Sequence, residues 1–157
     1  MSSELRAGGS GTGGAAGTGG QRLLLGWRAL SALFLLAMGG IHLYLVFHGV
    51  GGVLGALFVL NAIGALVLAI AMVVLRRRLL LVACVLSLMF MLGTVLALVL
   101  ALSIGLFGIR ETLDFQLVPT TLVVESIGTI VLVVTTALVF RLQRATRTSL
   151  RSEHPGA

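Results

Sequence analysis

Three side chains in this sequence have the chemistry to do more than pack: His42, Asn61 and Glu125. Each sits inside a long apolar run. A carboxylate within a membrane span costs about 2.5–3.5 kcal/mol on insertion scales, so such a group faces protein or water and has a use. Glu125 lies in the run from Leu117 to Phe140, where about 20 apolar residues suffice to cross a core of about 30 Å. A carboxylate beside a histidine can relay protons or hold a cation. The same groups can also simply hydrogen-bond to one another and fix which helix faces which.

The apolar runs position these groups. Of 157 residues, 58% are hydrophobic and 10% are charged, against about 25% charged in an ordinary soluble domain. Such a chain cannot cover a water-facing surface. The expected architecture is all-α: a four-helix transmembrane bundle running up-down-up-down, with spans near 29–47, 53–75, 79–104 and 117–140. Residues 1–21 are rich in Gly, Ser and Thr and read as a flexible tail. The transmembrane domain then covers 22–143, and 144–157 form a basic tail that begins as a fraying helical extension. The first span is too long for a signal peptide's apolar core, because it continues through Leu43, Tyr44, Leu45, Val46 and Phe47.

Net charge is +6, and all eleven basic residues are Arg. Nucleic acid is not the expected partner, since the arginines flank apolar runs and no aromatics interleave with them. With both termini inside, ten arginines are cytoplasmic and only Arg110 is outside, which is the positive-inside pattern. Arg76, Arg77 and Arg78 form a tight inner loop suited to anionic headgroups of the lipid bilayer. A second copy of this chain or another membrane protein stays open as a further partner.

By depth, His42 falls roughly 9 Å below the outer end of its span, and Asn61 and Glu125 roughly 12 Å below theirs. The three define an expected polar layer in the outer leaflet. On the fourth span, Thr121, Gly128, Thr129 and Thr136 share the stripe of Glu125, with Val123, Val124, Val131 and Val134 off it. Gly39 lies one turn below His42 and leaves room for a neighbour, and Gly51 with Gly55 has the spacing of a close helix contact. Ser87 and Thr94 share one face of the third span. Outside, Arg110, Glu111 and Asp114 form either a solvated cap or a flap that brings Arg110 to Glu125.

Other chemistries fit less well. His42 and His48 are six apart and do not share a helix face, so no metal set forms with Glu125. Haem ligation would need histidines on facing helices, and Met89 and Met91 lie on opposite sides of one helix. No cofactor is expected. Cys84 is alone and cannot form an internal disulfide. No catalytic triad, nucleophile elbow, phosphate loop or dinucleotide fingerprint is present, so no enzyme is expected.

Four blocks carry a resemblance: Gly39-Gly40-Ile41-His42-Leu43-Tyr44-Leu45, Leu57-Phe58-Val59-Leu60-Asn61-Ala62, Gly105-Leu106-Phe107-Gly108-Ile109-Arg110-Glu111-Thr112-Leu113 and Leu122-Val123-Val124-Glu125. Together they resemble a group of small actinobacterial four-helix membrane proteins, similar in size and layout to DoxX-like proteins. The resemblance implies a topology and a bacterial inner membrane and carries no activity. Three functional classes follow. The first is a non-enzymatic accessory or structural membrane component clamped by its polar layer. The second is a small proton-linked or cation transporter using Glu125 and His42, and the third a membrane redox or metal-handling protein.

Overall fold

The computed structural model describes residues 13–104 and 117–152. Its four helices are α1 (Gly13–Phe47), α2 (Gly52–Val74), α3 (Arg77–Ser103) and α4 (Val118–Ser152). All four are long and apolar enough to cross a membrane, with mean hydropathy of 2.0, 2.7, 2.7 and 2.3 over their most apolar windows. Helices suit that solvent because each satisfies its own backbone hydrogen bonds. The protein is a multi-pass membrane protein built as a four-helix bundle.

The elements start and stop for local reasons. Between α1 and α2 the chain turns at Gly49 (φ 106°) and Gly52 (φ 63°), a left-handed geometry that glycine adopts without a Cβ clash. Leu75 and Arg76 are both extended, so α2 and α3 are joined by two residues at the arginine cluster. Pro119 sits in the first turn of α4, where its missing N–H does no harm.

One boundary differs from the sequence reading, and another matches the helical extension expected there. The flexible tail was expected to reach residue 21, but α1 is already helical at Gly13. Extending a formed helix adds a hydrogen bond per residue without a new nucleation cost, which outweighs the poor helix propensity of glycine here. Residues 1–12 lie outside the described residues. At the other end, α4 continues past Phe140 to Ser152.

Each helix buries one seam. On α1 it runs through Arg28, Ser31, Leu35, Met38, His42 and Leu45, and on α4 through Thr121, Glu125, Gly128, Leu132, Thr135 and Val139. Ala65, Ala69 and Met72 on α2 and Leu80, Cys84, Ser87 and Met91 on α3 continue the pattern. Alternate steps of three and four residues are the spacing of a left-handed bundle. The opposite faces expose Leu33, Leu60, Val67, Val82, Leu96 and Ile130. In water such a surface would aggregate, whereas in lipid it is solvated.

Contacts fix the topology. Asn61 meets Met38, Ser31 meets Thr135, and Cys84 meets Met72, so neighbours along the chain are antiparallel. Helix α1 packs on both α2 and α4, and α3 packs on α4, while α2 and α3 touch least of the four adjacent pairs. The α1–α2 contact is close because Gly39 has no side chain. A Cβ there would stand 2.9 Å from the Ala65 Cβ and 3.4 Å from the Ala62 Cα and O. Gly51 and Gly55 do not play this part. A Cβ on Gly51 meets nothing within 4 Å, and one on Gly55 meets only the Val50 carbonyl of the adjoining turn.

This packing makes a matched test. Gly39→Ala should destabilise the bundle by about 1–3 kcal/mol through overpacking. Gly40→Ala, which meets nothing within 4 Å, should be neutral or slightly stabilising. Thermal unfolding in detergent, followed by circular dichroism, reads both. Equal melting temperatures for the two variants would show that the Gly39 contact does not hold the helices.

Candidate functional site

The seams bring His42, Asn61 and Glu125 to the wall of one cavity of about 410 Å³. It lies toward the end of the bundle that carries the α1–α2 turn. Leu45 of α1, Leu54 and Phe58 of α2, Phe90 and Leu98 of α3 and Val118 of α4 supply most of the remaining apolar wall. This volume is within the usual range for a small-molecule site, about 300–1,000 Å³. Leu57 and Met89 also line it and are 39% and 54% exposed. They mark a mouth between α2 and α3, the adjacent helix pair in least contact.

The three polar residues do not clamp one another. His42 Nδ1 donates to the Met38 carbonyl one turn back, at 2.9 Å. A carbonyl only accepts, so this bond places the proton on Nδ1 and leaves Nε2 as the acceptor in the neutral ring. The His42 ring meets Phe58 edge-on, with centroids 4.8 Å apart. Asn61 Nδ2 points at the Met38 sulfur, at 3.5 Å. Glu125 is 1% exposed, and neither of its oxygens has a hydrogen-bond partner among the described residues. The expected hydrogen bond between Glu125 and His42 is therefore absent, because the His42 Nδ1 proton is spent on its own helix.

The hydroxyls around the cavity are committed too. Thr94 donates to the Met91 carbonyl at 2.8 Å and Thr121 to the Leu117 carbonyl at 2.9 Å. Thr129 donates to the backbone carbonyl of Glu125 at 2.7 Å, not to its carboxylate. Side-chain hydroxyls in apolar helices turn back onto the preceding turn in this way. The polar stripe of α4 also differs in detail from the sequence reading. Thr135 and Val131 are buried, while Thr136 is half-buried and bonds the Leu132 carbonyl.

Sequence reasoning counted Arg28 only among the ten cytoplasmic arginines and did not single out Ser31 or Thr135. Arg28 is buried at the opposite end of the bundle. Its Nε donates to the Met72 carbonyl and its Nη2 to those of Val73 and Leu75, all at 2.8 Å. These are carbonyls of the last turn of α2 and its C-cap, which have no intrahelical donors and carry the negative end of the helix dipole. Ser31 and Thr135 share a buried hydrogen bond of 2.9 Å between α1 and α4. The three-four seam spacing would have found all three residues.

The remaining candidates separate from the site. His48 lies in the turn after α1, stacked on Tyr44 with centroids 3.7 Å apart. Among the described residues, no group of three or more His, Cys, Asp or Glu side chains gathers as a metal site. Arg76 and Arg78 are exposed at the α2–α3 connection, which Arg77 shares. Arg110, Glu111 and Asp114 lie outside the described residues. Comparison of the chain with protein-family models, curated proteins and solved structures gives no match.

An unpartnered buried carboxylate is a stability cost. Glu125→Leu should raise stability by about 1–3 kcal/mol, because it removes two buried acceptors that have no donor. A thermal melt of the variant beside the parent protein checks this. A clear fall in melting temperature would show that Glu125 holds the helices together.

Proposed function

We propose that the protein is a non-enzymatic membrane binding protein that takes a small ligand into the cavity between its helices. The observation that carries this reading is Glu125, with both oxygens unpartnered on the wall of a cavity of about 410 Å³. A bundle that needed polar groups only for packing would pair them, as it pairs Ser31 with Thr135 and Arg28 with the end of α2. Intramembrane ionisable groups left in this state mark binding sites or pathways. Proton-linked or cation transport through Glu125 and His42 would use the same site with an added conformational step.

The cavity can be tested without knowing its natural ligand. Gly93 lines it, and a Cβ at that position meets nothing within 4 Å. The full chain in zwitterionic lipid nanodiscs should bind 1-octanol saturably above the level of empty discs. Gly93→Phe, which puts a ring into the open space, should remove that binding with little change in melting temperature. Octanol uptake no greater than that of empty discs, or undiminished in Gly93→Phe, would overturn the reading.

Orientation belongs to the same proposal. The arginines at the start of α1, at the α2–α3 connection and at the end of α4 collect on one side. That side is cytoplasmic by the positive-inside rule, which puts the cavity in the outer half of a bacterial inner membrane. A cytoplasm-dependent reporter fused after Ala157 should be active. An export-dependent reporter active at that position instead would reverse the assignment.

A further inference from the structure

We infer that the ligand of this cavity is an amphipathic amine, a cation with an apolar tail that enters from the bilayer between α2 and α3. The inference rests on the binding reading above and adds the chemical class. Its first support is the balance of donors and acceptors. The Nδ1 proton of His42 and the hydroxyl protons of Thr94 and Thr121 are already donated to backbone carbonyls. Apart from one amide proton of Asn61, whose Nδ2 reaches the Met38 sulfur with the other, what the wall offers inward is acceptors, above all the two oxygens of Glu125. A ligand that matches them must donate.

Charge narrows the class further. Glu4, Glu111, Asp114 and Glu153 are the other acidic residues of the chain, and all lie outside the described residues. Arg28, the buried arginine, is occupied at the far end of the bundle by three α2 carbonyls. Among the described residues, the hydroxyl beside the carboxylate is that of Thr94, which donates to the Met91 carbonyl, so the carboxylate is matched best by an ammonium, which brings both hydrogen bonds and the opposite charge. An anionic ligand would meet repulsion and unpaired lone pairs.

The rest of the wall and its mouth define the tail. Leu54, Phe58, Phe90 and Leu98 offer apolar contact and no polar partner. The rim residues Leu57 and Met89 sit on the helix faces that lipid solvates. A ligand arriving there has already partitioned into the bilayer with its apolar part. The amine then exchanges an interfacial position for Glu125, while the tail exchanges lipid for the cavity wall at little cost.

Equilibrium dialysis of the full chain in zwitterionic nanodiscs tests the class, with n-octylamine, 1-octanol and octanoate as probes of equal chain length. Octylamine should bind at least about tenfold more tightly than octanol, and octanoate more weakly than either. Glu125→Gln should erase the preference for the amine, so that octylamine binds no more tightly than octanol to that variant. Glu125→Asp should keep part of the preference. Gly93→Phe should block all three probes, and circular dichroism melts confirm that each variant is folded. If octanol binds saturably but octylamine binds no better, or if Glu125→Gln keeps the preference, the cavity binds ligands but not by this chemistry. If no probe binds saturably, the binding reading itself falls, and this inference with it.

Discussion

The close approach of α1 to α2 at Gly39 sets the shape of everything else. Lipid tails are as apolar as leucine, so helices in a bilayer gain little from hiding apolar surface and must instead fit closely. With Gly39 against Ala62 and Ala65, α2 lies tight on α1. Helix α1 also packs on α4, and α4 on α3, which leaves α2 and α3 as the adjacent pair in least contact. Where the bundle is drawn in on one side it is open on the other. The cavity and its mouth occupy that opening, near the end carrying the α1–α2 turn.

The polar side chains of the core divide by position. At one end, Arg28 satisfies the final carbonyls of α2, and one turn further in Ser31 and Thr135 satisfy each other. These groups tie α1 to its two neighbours. At the other end, Glu125 is equally buried and has no hydrogen-bond partner among the described residues. Ser87 also has an unpartnered buried hydroxyl, but it does not line the cavity, and a neutral hydroxyl is a smaller loss than a carboxylate. A bundle that ties its helices with satisfied groups has no structural need for Glu125. This is the pattern expected when stability is given up at a site for function.

Much of the architecture was legible because the bilayer restricts it. Four apolar runs of spanning length, separated by a glycine turn, three arginines and a charged segment, leave few choices other than four helices. That His42, Asn61 and Glu125 share one level of the bundle followed from helical rise alone. What could not be read was which donors were already used. His42 bonds its own helix through Met38, a local choice that spacing does not reveal. The role of Gly55 was misread because Gly-x-x-x-Gly spacing does not say whether the neighbour is a helix or the adjoining turn. Arg28 was counted only among the arginines that flank the apolar runs. Its seam position, three residues before Ser31 and seven before Leu35, was the signal that it points inward.

Carboxyl modification by dicyclohexylcarbodiimide tests the central claim most directly, since this apolar reagent reaches acids from within the bilayer. Mass spectrometry of the full chain in nanodiscs then reads each acidic residue separately. Glu125 is expected to be modified, at a rate that falls as n-octylamine fills the cavity. A Glu125 that stays unmodified, or is modified at the same rate with the amine present, would contradict the account.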